Sequence, residues 1–396
     1  MNFLVCSSLC VLSRLLIARV GRGSNGTTVF KGSLGGQVVA VKRLLQDFVT
    51  LATHEINILK EAANDHPNVI QYFCHVTQPY FIYLVIQLCP ASLADIIERR
   101  DSFREIEATF EPKRALREIT SGLRYLHARN IIHRDIKPQN IMVSGAKNGE
   151  NHRMLISDFG LCKRLEVDQA SFMPTDPRAV GAGTVGWRAP EILRKERRLG
   201  GFNSSQSPSG RATASPIATK LTRAVDIFAL GCLFYYCLTR GGHPYGNRVE
   251  REGNIMKDAK NLEGLGEEDT EVANLIEKML NPEAALRYVE QRLSPVGSDR
   301  TPRPDTTSCL VHPFFWNAER RLAFLQDVSD KFEAMRRNPQ GEDLAALEAN
   351  ASNVFGQDWM AQLDKAFQGF LIKRRTYNRT SVQDLLRALR NGVSRP

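Results

Sequence analysis

The sequence predicts an α+β chain in which a small β-rich lobe is joined to a larger helical one, and three observations carry that reading. Residues 38–41 and 81–87 alternate or run apolar in the manner of strands. From Pro112 onward the apolar positions Ala115, Ile119, Leu123 and Leu126 recur every three or four residues, the spacing of one helix face. Residues 226–238 are apolar almost throughout, which predicts a helix buried on all sides.

In chain order, residues 1–14 have no derived role and 15–20 are expected to form the first strand. Gly21-x-Gly23-x-x-Gly26 follows, then Val29, then the strand that carries Ala40 and ends on Lys42. Residues 54–60 place Ile56 and Leu59 at helical spacing, so a short helix carrying Glu55 is expected against the sheet. A turn at 65–68 and a strand at 81–87 complete the first lobe, which closes near Cys89 and spans 1–89. The helical lobe spans 90–316 and is expected to be interrupted twice. Residues 194–220, rich in Ser, Gly, Pro and Arg, read as a surface loop. Residues 288–303 split 278–287 from 304–310, which would form one helix entry if Arg287 adjoined Pro304; the segment is expected to be a retained intron or an unusual insertion.

Composition narrows the class. At 396 residues, 42% hydrophobic and 24% charged, the chain has the balance of a globular protein of two or three domains. Its net charge of +10 suits a polyanionic partner such as RNA or an acidic membrane surface, or reflects scattered solvated charge. Eight cysteines without C-x-x-C pairs, several inside apolar runs, point to reduced thiols and away from disulfides or zinc. The apolar residues 3–12 fall short of the roughly 20 that a membrane span needs, and no basic segment precedes them, so neither a span nor a signal peptide is expected.

The chemistry is concentrated in His133-Arg134-Asp135, then Lys137 and Asn140, then Ser157-Asp158-Phe159-Gly160. Each such residue alone in a loop would read as a turn former. In this order and spacing they describe phosphoryl transfer from ATP: Asp135 as the base that takes a hydroxyl proton, Lys137 as its electrostatic partner, Asn140 and Asp158 as ligands of Mg²⁺. Upstream, Gly21, Gly23 and Gly26 let backbone N–H groups approach phosphates, with Val29 and Ala40 in the same nucleotide-facing set. Lys42 supplies a charge to the phosphates and Glu55 holds it in place. Ile86, Gln87, Leu88 and Cys89 are expected to form the hinge that meets the adenine, with Ile86 guarding the back of the pocket. The segment from Asp158-Phe159-Gly160 to Ala189-Pro190-Glu191 reads as an activation loop in which Ser171, Thr175 and Thr184 are candidate phosphoacceptors and Arg134 a candidate phosphate partner. Thr184 is alternatively placed to contact Asp135 and Lys137.

These motifs resemble those of protein kinases, and Lys137 two positions after Asp135 resembles the serine/threonine kind. Residues 156–163, His66-Pro67-Asn68-Val69-Ile70 with Tyr72-Phe73-Cys74, and His312-Pro313-Phe314-Phe315-Trp316 leading to residues 324–330 are more specific. They resemble the inositol-requiring-enzyme family, endoplasmic-reticulum stress sensors whose cytoplasmic part fuses a serine/threonine kinase to a helical endoribonuclease. The resemblance implies a two-lobe kinase fold followed at 317–396 by an incomplete all-α ribonuclease domain of the KEN type. It also implies homodimers that autophosphorylate in trans, RNA as a partner, and the cytosolic face of the endoplasmic reticulum as the location. The family's lumenal sensor and membrane span are not in this sequence. Tyr377, Arg390 and Asn391 match the family's nuclease residues, a Tyr for proton transfer and an Arg and Asn for the phosphate. The family's catalytic His falls at Arg395, and an Arg cannot exchange protons near neutral pH, so the nuclease is expected to be inactive. Two alternatives remain: a nucleotide-organised dimer whose output is the nuclease, and a non-catalytic interaction protein.

Overall fold

The computed structural model describes residues 18–22, 27–45, 49–62, 65–145, 151–165, 183–200, 222–266, 269–282, 303–335, 342–373 and 375–393. Gly23, Gly26, Ser171, Thr175 and Arg395 lie outside the described residues. The chain divides into two compact units, Met1–His312 and Pro313–Pro396. The boundary thus falls just ahead of the expected 316, because residues 313–316 pack with the second unit.

In the first unit, β1 (Ala18–Arg22), β2 (Thr28–Leu34), β3 (Gln37–Leu45), β4 (Tyr72–Thr77) and β5 (Phe81–Gln87) form an antiparallel sheet in the order β1-β2-β3-β5-β4, with α1 (Val49–Ala62) between β3 and β4. Of the expected first strand, 18–20 are among the described residues, and β1 runs on through Gly21. Leu34 pairs with Gln37, so Gly35 and Gly36, at φ +56° and +86°, make a two-residue turn whose positive φ values suit glycine. Alternation along β3 then sorts its side chains. Val39 and Val41 are buried with Val76, Tyr83 and Val85, while Ala40 and Lys42 point to the opposite face. Lys42 pairs with Val29 and Leu84, and Ala40 with Ile86, so these five residues share that second face.

The helical part begins with β6 (Ala91–Ser92) and α2 (Leu93–Glu98), whose N-terminus Ser92 and Asp95 close as a capping box. Next comes α3 (Pro112–Ala128), with Pro112 in its first turn and Ala115, Ile119, Leu123 and Leu126 buried as their spacing requires. Short strands β7 (Ile131–Ile132), β8 (Ile141–Val143), β9 (Met154–Ile156) and β10 (Lys163–Arg164) hold the loops that carry the Asp135 and Asp158 motifs. Helix α4 (Pro190–Gly200) covers positions 194–200, which the Arg-rich composition had assigned to a loop. In α5 (Ala224–Leu238) every residue from Val225 to Cys237 is buried. Helices α6 (Arg251–Lys257), α7 (Thr270–Met279) and α8 (Thr306–Val311) complete the unit. The described cysteines, Cys74, Cys89, Cys162, Cys232, Cys237 and Cys309, are free thiols. Among the described residues no helix is long and apolar enough to cross a membrane.

Arg303 is the last residue of the expected insertion; residues 288–302 lie outside the described residues. The Arg303 guanidinium makes a bidentate pair with Glu191 at 2.6 and 3.0 Å and donates to the carbonyls of Asn281 at 2.8 Å and Ala224 at 2.9 Å. Both charged side chains are buried, and the guanidinium also lies over the Phe228 ring. The arginine that precedes Pro304 in sequence is therefore held by the fold.

The second unit is all helical: α9 (Ala318–Met335), α10 (Glu342–Ala349), α11 (Ala351–Phe355), α12 (Lys365–Ile372) and α13 (Val382–Val393). Its core gathers Phe332, Phe355, Trp359, Met360, Leu371, Tyr377, Val382, Leu386 and Ala388. Glu348 caps α13, accepting from the Val382 and Gln383 N–H groups, each at 2.9 Å, and from the Ser381 hydroxyl at 2.7 Å, an anion where the helix dipole favours one.

Removing one partner of a buried, hydrogen-bonded ion pair costs about 3–5 kcal/mol. Arg303→Ala and Glu191→Gln are each expected to lower the urea midpoint of the first unit accordingly, and midpoints unchanged from the parent would show that the pair contributes nothing. His243 supplies a pH test. It is buried edge-on to Trp187 and accepts from the Tyr245 N–H at 3.2 Å. Burial, helped by the nearby charge of Arg251, pulls its imidazole from 6.5 down to about 3. The unfolded chain therefore takes up the proton first as pH falls, and stability erodes between pH 6.5 and about 3, at most about 1.4 kcal/mol per pH unit. His243→Gln is expected to flatten that window; an equal slope in variant and parent would refute the assignment.

Candidate active site

Gly21, Val29, Ala40, Lys42, Glu55, Gln87, Cys89, Lys137, Asn140 and Asp158, all singled out in the sequence, line one cleft of about 1030 Å³, and Asp135 meets it through Lys137 and Asn140. Its apolar walls come from β-strand alternation and the hinge, as expected for Ile86 and Leu88. Val20 and Met142 also line it and were not singled out in the sequence. The Cys89 thiol, at the hinge, is pushed up to about 12 by burial, so it packs as an apolar group.

At the inner end Lys42 bridges two carboxylates, with Nζ 2.7 Å from Glu55 Oε1 and 2.8 Å from Asp158 Oδ1. Burial alone would strip the Lys42 charge, but Glu55 and Asp158 outweigh it and hold the ammonium above its ordinary range. Lys42 in turn holds Asp158 below the usual carboxylate range, while burial pushes Glu55 up. A second tie fixes the helix that carries Glu55: His54 Nε2 lies 2.5 Å from the Cys162 carbonyl, joining α1 to the segment after Gly160.

Asp135 is 6% exposed and fully engaged. Its Oδ2 accepts from Lys137 Nζ at 2.7 Å and Asn140 Nδ2 at 2.8 Å; its Oδ1 accepts from the Thr184 N–H at 2.9 Å and hydroxyl at 2.7 Å. Lys137 Nζ also reaches Thr184 Oγ1 at 2.5 Å. Of the two readings of Thr184, the structure has the contact with Asp135 and Lys137. The loop is set from behind by Asp226, which sequence reading had treated only as the start of an apolar helix. Its carboxylate accepts from the backbone N–H groups of His133 at 2.8 Å and Arg134 at 2.7 Å and lies 2.8 Å from His127 Nε2. Burial raises the affinity of Asp226 for a proton, yet these partners prevail and hold it below the usual carboxylate range. An acid within an otherwise apolar run was the available signal.

Asp158 and Arg134 both sit in the left-handed region, at φ +64° and +69°. His133 links their loops: its Nδ1 accepts from the Asp135 N–H at 3.3 Å, its Nε2 faces the Ser157 carbonyl at 3.1 Å, and its ring meets the buried Phe159 edge-on. A divalent cation fits the site. Asn140 spends its amide nitrogen on Asp135, which leaves its amide oxygen, with the Asp158 carboxylate, as hard donors on the cleft wall. No group of three or more His, Cys, Asp or Glu able to hold a metal exists among the described residues, and two oxygens are what a Mg²⁺ carried by nucleotide phosphates requires of the protein.

In the second unit the three residues matched to a nuclease also meet. Asn391 Nδ2 is 3.3 Å from the Tyr377 hydroxyl, Arg390 Nε is 3.4 Å from Asn391 Oδ1, and Arg390 Nη1 pairs with Asp330 at 2.7 Å. The Tyr377 ring is buried against Trp359, with only its polar end on the cluster.

The Protein kinase domain family matches residues 16–315, and the Ribonuclease 2-5A family matches residues 321–394. The chain is similar to the serine/threonine-protein kinase/endoribonuclease ireA of Aspergillus fumigatus, 44% identical over 396 residues that cover 94% of this chain and 33% of that protein. It is 38% identical over 380 residues to the sensor for unfolded proteins in the ER ire1 of Schizosaccharomyces pombe, covering 94% and 33%. It is 39% identical over 372 residues to the serine/threonine-protein kinase/endoribonuclease IRE2 of Homo sapiens, covering 94% and 36%. The chain spans about a third of the length of these curated relatives. With a protein kinase domain followed by a Ribonuclease 2-5A module, the chain belongs to the inositol-requiring-enzyme (IRE1) family of serine/threonine kinase/endoribonucleases.

Proposed function

We propose that the first unit is an ATP- and Mg²⁺-dependent serine/threonine kinase that phosphorylates a second copy of itself. The observation that carries this reading is the simultaneous engagement of Lys42 with Glu55 and Asp158, and of Asp135 with Lys137 and Thr184. Bound ATP supplies the phosphoryl group, and Mg²⁺ neutralises its charge. Lys42 steadies the phosphates, Asn140 and Asp158 present oxygens to the cation, and Gln87 with Cys89 frames the base. Asp135 orients the acceptor hydroxyl and receives its proton, while Lys137, hydrogen-bonded to the same carboxylate, offers positive charge where negative charge develops. Ser171 and Thr175 are the acceptors. In this reading one copy presents them to the site of the other, and the chain forms homodimers on the cytosolic side of the endoplasmic reticulum membrane.

Asp158→Ala is expected to reduce phosphate incorporation from labelled ATP by about 10³-fold or more. Mixed with parent chain of a different size, the same variant is expected to become labelled. Labelling by Asp158→Ala alone would sink the assignment of Asp158, and an unlabelled variant band in the mixture would sink transfer in trans.

A second reading, an RNA nuclease organised by nucleotide binding, is favoured by the meeting of Tyr377, Arg390 and Asn391. Tyr377 would move a proton and Arg390 with Asn391 would hold the scissile phosphate. Arg395 stands at the position of the second acid–base group and cannot serve as one. The chain is therefore expected to leave a stem-loop RNA intact under conditions that support autophosphorylation. Cleavage that Tyr377→Phe abolishes would show that no histidine is needed.

A further inference from the structure

The cleft continues past the nucleotide-facing residues. Its lining also includes Thr184, the hydrogen-bond partner of Asp135, and Val185, Trp187, Gly241, Arg248 and Arg251. Because Thr184 hydrogen-bonds Asp135 and Val185 and Trp187 follow it along the same cleft, a polypeptide whose hydroxyl reaches Asp135 passes beside this stretch. Val185 is 49% exposed on this path and Arg248 is exposed beside it.

The charges along the path are unequally satisfied. Asp95 pairs with Arg99, Glu98 accepts from the Tyr236 hydroxyl at 2.8 Å, Glu252 pairs with Arg188 at 2.6 Å, and Glu250 accepts from Asn247 Nδ2 at 2.7 Å. Arg251 donates only to the Gly246 carbonyl, at 3.3 Å from Nε and 3.2 Å from Nη2. Neither Arg248 nor Arg251 has a carboxylate partner among the described residues. Arg251 is also fixed in place. Gly186 has φ +86°, and a Cβ there would stand 2.6 Å from Arg251 Cδ, so the arginine stem lies against the backbone of the segment that holds Asp135. Burial first, and then the neighbouring Arg248 charge, lowers the proton affinity of Arg251, as expected of two close cations with no anion between them.

We infer that Arg248 and Arg251 select acceptor segments that carry an anionic group, a carboxylate or a phosphate, beside the serine or threonine. Guanidinium groups suit both anions through paired N–H donors, and the like-charge pair is relieved when either binds. The same pair disfavours basic flanks, which supplies the repulsive half of specificity.

This inference rests on the kinase reading, and one experiment separates the two. The whole chain is given ATP, Mg²⁺ and synthetic peptides with a single serine, flanked at each of three positions on either side by Ala, Asp, phosphoserine or Lys. At one flanking position or more, kcat/KM for the Asp or phosphoserine peptide is expected to exceed that for Ala by about tenfold, equivalent to about 1.4 kcal/mol. Arg248→Ala is expected to remove most of that ratio, Arg248→Lys to retain part of it, and Arg248→Glu to turn it in favour of Lys. Ratios taken within each protein cancel any difference in folded fraction. Equal use of all four peptides by the parent, or an undiminished ratio in Arg248→Ala, overturns the inference while leaving the kinase reading intact. No transfer to any peptide or to the chain itself overturns both.

Discussion

The carboxylate of Asp226, sealed inside the helical lobe, sets the geometry on which the reaction site depends. Placing an ion there costs several kcal/mol even after relaxation, and the cost is offset only when its lone pairs are filled. They are filled by the two successive N–H groups of His133 and Arg134 and by the His127 ring. That exchange fixes the turn in which Arg134 adopts φ +69°, a conformation costing about 1–3 kcal/mol for a residue with a side chain. The turn then presents the Asp135 carboxylate to Lys137, Asn140 and Thr184 of the cleft wall. The buried aliphatic and aromatic side chains of α5, at about 1.5–3 kcal/mol each, keep the burial of the whole helix favourable despite the charge near its start.

A different balance governs the other end of the cleft. One ammonium between two carboxylates leaves a net negative charge, and only Glu55 of the two is deeply buried; the Asp158 side chain is 38% exposed. The excess charge therefore points into the cleft, next to the Asn140 amide, where a divalent cation would be attracted. Glu55, whose burial favours its neutral form, depends on Lys42 for its charge, so the pair is coupled to the position of α1. The contact from His54 to the Cys162 carbonyl holds that helix to the loop that carries Asp158, and the three charges stay together as a mechanical unit.

How much of this was legible in the sequence depends on the range of the interaction. The alternation of residues 38–41 specifies which face of β3 holds Lys42, because period two is a local property, and the sheet register confirms it. The order of motifs from Lys42 to Asp158 likewise identified the residues that meet in the cleft. What failed was non-local. That Arg303, the last residue of the expected insertion, is held by the fold follows only from the distant Glu191, with the carbonyls of Asn281 and Ala224. Residues 194–200 look loop-like by composition, yet they continue a helix started by Pro190. Asp226 has a role only through backbone groups nearly a hundred positions away, which no periodicity reports. Tyr377 was legible as a functional candidate, but not as a ring buried beside Trp359 that leaves only its hydroxyl for Asn391.

In the proposed reading, residues 184–187 would join alignment of the base to recognition of the acceptor. Thr184 gives Asp135 two hydrogen bonds, and two positions later the backbone of Gly186 rests against the stem of Arg251. A peptide drawn toward the arginines presses on the same short stretch that fixes the carboxylate. Arg188 continues the connection, pairing with Glu196 on α4 and Glu252 on α6, and Trp187 packs edge-on to Tyr236 and His243. With its flanks tied to three helices, this stretch cannot shift without breaking buried contacts, so in the proposed reading the energy of acceptor binding would go into orienting a hydroxyl at Asp135, with little lost in ordering the floor beneath it.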